Sequence, residues 1–386
     1  MDELTLFRKL IKNTDLSLVI HSFFYLHEMS ENDRNNKKIV MNAVKQDCDE
    51  INYVSEHLLR DRDVVLTAVK SYGDALNIVP ENFKRDREVV LTAVKSDPRA
   101  LRHASQQLKG DRDVVLAAVK RYGRALRYAS EQLRRDTEIV LAAVKNIADA
   151  LMYASLDRMN YRDVREVVLT AVKQDGFYLQ LNPPDDLDFD RELVYDSMNQ
   201  KLQRDRELVL AAVKSKGMAL VCAAQNLQRD REVVLAAVKQ NGMAMQYASP
   251  QLQLDDEVVL AAVKQDAKAL EFASLDLMSE KSVREVILTA VKQDHLALSM
   301  TPPKDLEWDR CLVYENIRKK LSSDREFVLA VVKINGRALP CAAQKLQRDR
   351  EVVLAAVKQN GTALQYASLD LQGDREVVSA SLCLRD

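Results

Sequence analysis

The chain has 386 residues, 57 basic against 58 acidic, a formal net charge of −1 and a hydrophobic content of 47%. That hydrophobic share excludes general disorder, and the balanced charge argues against a chain-wide role on DNA, RNA or an anionic membrane. Nine glycines and eight prolines leave no flexible linker, and five scattered cysteines without metal-type spacing fit free thiols in a reducing compartment.

From the N-terminus, residues 1–35 stand apart from the rest of the chain. Leu4, Phe7, Leu10 and Ile11 have helical spacing, and a second apolar stretch covers 18–26. This predicts a helical cap over the first repeat. The opening residues lack a basic segment followed by an apolar one, so no secretory signal is expected. The apolar runs are too short to cross a bilayer, and no membrane insertion is expected. The reading is a cytoplasmic protein, with export by a signal-less route, as for a microbial effector, left open.

From residue 36 to 383 one phrase recurs, closed each time by Val-Lys. Those lysines are Lys45, Lys70, Lys95, Lys120, Lys145, Lys173, Lys214, Lys239, Lys264, Lys292, Lys333 and Lys358, at steps of 25, 28 or 41 residues. A fixed short period over most of a chain is the signature of a stacked repeat. Residues 346–371 serve as the type. Asp349 stands where a helix N-cap belongs, Glu351 adds negative charge to the first turn, and Val352 to Val357 is an unbroken apolar run. Lys358 suits the negative C-terminal end. Gly361 is expected to stop the helix in a left-handed conformation, and a shorter helix is predicted over 363–368. Ten aspartates from Asp61 to Asp374 fill the N-cap column, with Asn36 at its start, and Leu58, Phe83, Leu108 and their equivalents form a loop-anchor column. The expected fold class is all-α, an α-solenoid of short αα-hairpin (helix-turn-helix) repeats in a single elongated domain, with 384–386 as a tail.

A longer period of 119 residues lies above the short one: Lys95, Lys214 and Lys333 are 119 apart. The 41-residue steps hold Pro-Pro segments near 181–190 and 300–309, followed by the helix-like phrases 191–195 and 310–314. These phrases read as truncated repeats that keep the first helix and lose the second. The Pro-Pro segments are expected to form two equivalent irregularities on one side of the stack.

The phrase Asp-Arg-Glu-Val-Val-Leu-Ala-Ala-Val-Lys, followed by Gln-Asn-Gly-x-Ala-Leu-Gln-Tyr-Ala-Ser, is clearest at 230–249 and 349–368. It resembles the repeat catalogued as a domain of unknown function, number four-one-one-six. The resemblance implies tandem copies in proteins of protists, intracellular bacteria and large viruses. It implies no assigned activity and no functional residues.

Four features bear on function. The lysine column reads as complementing helix C-termini, balanced by nearby Asp and Glu columns. A column running Tyr53, Ile78, His103, Tyr128, Tyr153, Leu181, Cys222, Tyr247, Phe272, Met300, Cys341 and Tyr366 mixes aromatic with aliphatic residues, and reads as core packing rather than a base-stacking row. The Arg-Asp-Arg loops, such as Arg60-Asp61-Arg62, are expected to form an ion-pair ladder between repeats. Finally, residues 95–135 carry eleven basic side chains against four acids, a local net charge of +7. Within them Arg99 and Arg102 recur as Arg124 and Arg127, predicted as a two-by-two cluster on the second helices and the candidate site for an acidic partner or nucleic acid.

His21, His27, His57, His103 and His295 have no metal-ligand spacing, and no phosphate loop or nucleophile motif is present, so no metal, no cofactor and no catalysis are expected. The functional expectation is a non-catalytic scaffold for a protein partner. The alternatives are an anionic ligand or nucleic acid at the arginine cluster and, last, an enzyme with an unrecognised groove site.

Overall fold

The computed structural model describes residue 26 and residues 31–183, 189–299 and 308–382. The helices of eight or more residues are α1 (Lys37–Gln46), α2 (Arg62–Ser71), α3 (Arg87–Ser96), α4 (Arg112–Arg121), α5 (Thr137–Asn146), α6 (Tyr161–Val172), α7 (Phe189–Leu202) and α8 (Arg206–Ser215), then α9 (Arg231–Gln240), α10 (Asp256–Gln265), α11 (Glu280–Val291), α12 (Trp308–Ser323), α13 (Arg325–Ile334), α14 (Arg350–Gln359) and α15 (Arg375–Leu382). The fold is an all-α solenoid of helical repeats, and no strand occurs among the described residues. The chain divides into two compact units, residues 1–174 with 182–196, and residues 175–181 with 197–386. In the first unit α1 to α6 pack in sequence; in the second, α8 to α11 and α13 to α15 do so.

Most repeats begin at an aspartate, and Asn36, Asn160 and Ser279 cap α1, α6 and α11 in its place. Asp230 Oδ1 accepts from the backbone amides of Glu232 (3.0 Å) and Val233 (3.2 Å), satisfying two orphan donors of the first turn. Asp61, Asp86, Asp111, Asp255 and Asp349 do the same, and Asn36 accepts from Lys38 at 3.1 Å. The helix then runs ten residues and buries four of them completely or nearly so, as Val233, Val234, Ala237 and Val238 in α9. Small residues at those positions let neighbouring helices approach closely, and each helix is sandwiched by its neighbours.

Beyond the long helix the repeat departs from the expected hairpin. The second element is a 3-10 helix, Gly242–Tyr247 in this repeat and Gly361–Tyr366 in the type repeat. Its hydrogen bonds step by three residues, as from Ala363 N to Asn360 O (2.9 Å) and from Ala367 N to Leu364 O (3.1 Å). A segment of six residues is of the length at which this tighter helix is normally used. A third element, a four-residue α-turn such as Glu56–Leu59 or Gln106–Lys109, precedes most repeats of the first unit and carries the anchor Leu58 or Leu108 into the core.

The glycine at the helix end does not adopt the left-handed conformation expected of it; none of the glycines has φ in that region. The reason for glycine is contact with the next repeat. A Cβ on Gly217 would lie 2.4 Å from Ala237 O, and one on Gly336 2.3 Å from Ala356 O. The Gly217 amide also donates to the Gln240 side chain at 2.5 Å. Where alanine replaces the glycine, at Ala148 and Ala267, the next helix is the twelve-residue α6 or α11, which ends in an αR cap rather than an extended one. In most repeats a backbone bond to the repeat before adds to the register, as from Ser130 N to Lys109 O (2.8 Å) and from Ser249 N to Gln228 O (3.0 Å).

The phrases read as truncated repeats are something else. α11 packs directly on α13, so α12 adds no layer to the stack. Instead α12 lies against α13 and the 3-10 turns Leu275–Leu277 and His295–Ser299, and it ends by burying the anchor Leu321. It is therefore a lengthened form of the four-residue connecting turn, and α7 ends on the equivalent anchor Leu202. Most of the Pro-Pro segments (184–188 and 300–307), nearly all of the N-terminal cap and the 384–386 tail lie outside the described residues.

Candidate functional site

Two surfaces of the repeat carry side chains that the fold does not consume. The first is the outer stripe of the long helices. In α2 its exposed or half-buried positions are Arg62, Asp63, Leu66, Thr67 and Lys70. At the N-terminal end of this stripe lies the expected ladder. Arg87 bonds Asp111 at 2.8 Å and Asp113 at 2.5 Å; Arg231 bonds Asp255 at 2.8 Å and Glu257 at 2.5 Å. Lys37, Arg62, Arg112, Arg206, Arg325 and Arg350 make the same two-carboxylate reach to the next repeat. Arg87, Arg206 and Arg325 hold their N-cap partners Asp111, Asp230 and Asp349 below the ordinary aspartate value. The ladder lapses at Thr137 and Asp256, which are 119 residues apart; there hydroxyl bonds, Thr137 to Asp163 (2.8 Å) and Ser282 to Asp256 (2.7 Å), take its place.

The ladder overturns the expected balance of the lysine column. The acidic columns lie at the N-terminal ends of the helices and are spent on the ladder arginines. The lysines stand at the C-terminal ends, exposed, and among the described residues Lys70, Lys95, Lys120, Lys145, Lys214, Lys239 and Lys264 have no ion-pair partner.

The second surface is the ridge of 3-10 turns. Its buried positions repeat as Ala-Leu, while the second, fifth and sixth face outward. In the turn Pro98–His103 these are Arg99, Arg102 and His103; in Gly123–Tyr128 they are Arg124, Arg127 and Tyr128. Three residues per turn stack positions two and five on one side, and these two turns adjoin. The four predicted arginines are thus placed on neighbouring turns of the first unit. Flanking repeats then supply carboxylates that the count over 95–135 did not reach. Arg102 bonds Asp74 at 2.9 Å and Arg124 pairs with Asp149, while Arg99 bonds Asp97 of its own repeat, an acid already in that count, at 3.1 Å. Arg127 has an aromatic partner instead, its guanidinium 4.6 Å from the centre of the Tyr128 ring. His103 sits 3.2 Å from Asp74; burial, then the charge of Arg102, lowers its pKa.

Elsewhere on the ridge the chemistry changes. The first unit also offers Asp49, Asn52, Asp74 and Asn77. The second offers Phe177, Met218, Val221 and Met243 on three successive turns, with Phe177 41% and Val221 45% exposed. Lys216 lies over the Phe177 ring at 4.7 Å and pairs with Asp175 at 2.9 Å. The mixed aromatic column forms the sixth position of this ridge and is not core. Tyr53, Ile78 and Tyr366 are exposed, Tyr128, Tyr153 and Tyr247 are half-buried, and only Leu181 and Cys222 are buried. Met300 lies outside the described residues. The breadth of residues tolerated there reflects a surface position.

Among the described residues no group of three or more His, Cys, Asp or Glu could hold a metal ion, and no helix is long and apolar enough to cross a membrane. The family model described as Domain of unknown function (DUF4116) matches the chain in tandem, at residues 16–59, 61–109, 111–159, 164–228, 205–253, 230–278, 255–306, 324–372 and 349–382. The chain belongs to that family. No curated protein matches it.

Proposed function

We propose that the chain is a non-catalytic scaffold that binds a protein partner along the ridge of 3-10 turns. The carrying observation is the contrast within each repeat. The N-cap, the Val-Val and Ala-Val pairs and the Ala-Leu pair recur from repeat to repeat, while the outward ridge positions run through acid, arginine, phenylalanine, methionine and valine. A framework held constant under a varied exposed row is how a solenoid presents a specific surface. Exposed Phe177 and Val221 beside Met218 and Met243 supply the apolar, adaptable contact that protein interfaces use. The free thiols Cys222 and Cys341 suit a reducing compartment, and a cytoplasmic site of action is part of this reading.

Binding of nucleic acid at Arg99, Arg102, Arg124 and Arg127 is the weaker reading. A phosphate there has to displace Asp74, Asp97 and Asp149 to reach three of the four guanidiniums, which leaves Arg127 alone without a carboxylate partner among the described residues. The test is capture of tagged protein from lysate of the source cell, after nuclease, using wild type and the Phe177→Glu/Val221→Glu variant. A co-purifying protein lost from the variant, at unchanged melting temperature, is the expected result. Retention of every partner by the variant overturns the ridge reading. Proteins that nuclease removes from the wild type favour the arginines.

A further inference from the structure

The outer stripe of the long helices is independent of the ridge and has its own chemistry. Across α2 to α5 it presents three parallel rows. The ladder forms the first, and in it every carboxylate is matched: Asp63, Glu88, Asp113 and Glu138 each meet a cation of the preceding repeat. The second is a half-buried aliphatic strip, Leu66, Leu91, Leu116 and Leu141, lined by the small side chains Thr67, Thr92, Ala117 and Ala142. The third is Lys70, Lys95, Lys120 and Lys145, exposed and without an ion-pair partner among the described residues. Between α4 and α5 the strip opens into a cleft of 480 Å³ lined by Leu116, Leu141 and Ala142 together with Lys120, Lys145 and Glu138.

We propose that this face docks an acidic amphipathic helix of a partner protein, laid across α2 to α5 with its apolar side on the leucine strip and its carboxylates toward the lysine row. Charge complementarity selects an acidic partner, because the unmatched charge on the face, among the described residues, is positive. The apolar strip selects a polypeptide over a nucleic acid, whose phosphates would leave the leucines uncovered and lie near the carboxylates of the ladder. The spacing agrees as well. Packed helices stand about 8–10 Å apart, and seven residues of a helix rise about 10.5 Å. One acidic residue per heptad therefore meets about one lysine per repeat, and the intervening apolar residues fall between successive leucines, the helix-in-groove mode.

The inference does not depend on the ridge, and its test keeps the two apart. The probe is a fluorescein-labelled helical peptide of four heptads, with leucine at its apolar positions and glutamate along one edge, titrated with the full chain and followed by anisotropy. A lysine-edged version and a 20-base-pair DNA duplex serve as comparisons. The expected result is saturable binding of the acidic peptide, weakened at least tenfold by Lys95→Glu/Lys120→Glu and unchanged by Phe177→Glu/Val221→Glu. Both lysines are exposed and make no ion pair among the described residues, so the chain stays folded and only a small drop in melting temperature, from reversed charge at two helix C-termini, accompanies the loss. Failure of the acidic peptide to bind, equal binding of the lysine-edged peptide, insensitivity to the lysine substitutions, or tighter binding of the duplex through the same lysines each overturns the proposal.

Discussion

At the residue scale, the glycines show how a position can be legible while its cause is not. Gly73, Gly123, Gly217 and Gly336 recur at the helix ends, where sequence logic assigns a left-handed stop. Their backbones are instead ordinary, and the missing Cβ makes room for a carbonyl of the following helix. That contact joins residues about twenty apart, and nothing local in the phrase announces it. Gly217→Ala puts a methyl 2.4 Å from Ala237 O and 2.9 Å from Gln240 Oε1, so the repeats have to separate. Overpacking of this kind costs about 1–3 kcal/mol. Gly373→Ala is the matched control. There the nearest atom to an added Cβ is 3.7 Å away, and φ of −96° with ψ of −7° suits alanine. Restricting the unfolded chain then stabilises by about 0.4–1 kcal/mol. Thermal melts should move in opposite directions; a neutral Gly217→Ala would show that the stack yields freely at that contact.

At the scale of the element, the long helices were readable because their caps, apolar run and charged ends all point one way. Asp230, Glu232 and Lys239 each stand where the helix dipole and orphan amides need them. The 3-10 turns were not readable as such. Over six residues with two buried side chains, periods of 3.0 and 3.6 put the same pair inside. The lengthened turns α7 and α12 were misread because Leu-Val-Tyr imitates the start of a long helix, whereas their tyrosines perform a different task. Tyr314 is buried; its hydroxyl donates to Ala273 O at 2.5 Å and accepts from Leu275 N at 3.0 Å. Tyr195, 119 residues earlier, is likewise buried, and burial first, then the charge of Asp157, pushes its phenol up to about 12. Tyr314→Phe keeps the ring but leaves a buried amide and a buried carbonyl without that partner. The expected loss is about 1–3 kcal/mol, read as a lowered denaturation midpoint. A change within a few tenths would mean that water replaces the hydroxyl there.

At the scale of the whole molecule, repetition turns a modest local pair into a collective property. The 25-residue period made the ladder foreseeable, since it aligned Arg-Asp-Arg in repeat after repeat. The polarity of the array was not foreseeable, because linear proximity suggested that lysine and acid columns neutralise one another. Only the parallel stacking of the helices separates the acids at one end from the lysines at the other. The ladder has a consequence for pH. Asp111, Asp230, Asp255, Asp349 and Asp374 are all held below the ordinary value of 3.8, each chiefly by the arginine of the preceding repeat. Carboxylates that bind protons less tightly when folded contribute stability that is fully present above the ordinary value. It is lost as pH falls through their lower folded values. Because the same group titrates in repeat after repeat, proton uptake on unfolding adds along the stack. The melting temperature should stay nearly level from about pH 7 to about 5 and drop steeply below about pH 4. Asp230→Asn keeps a cap of the kind Asn36 makes but removes one titrating carboxylate. It should melt lower than wild type at about pH 7 and lose less on acidification. A wild-type melting temperature that stays level down to about pH 3 would mean the ladder positions the repeats without stabilising them.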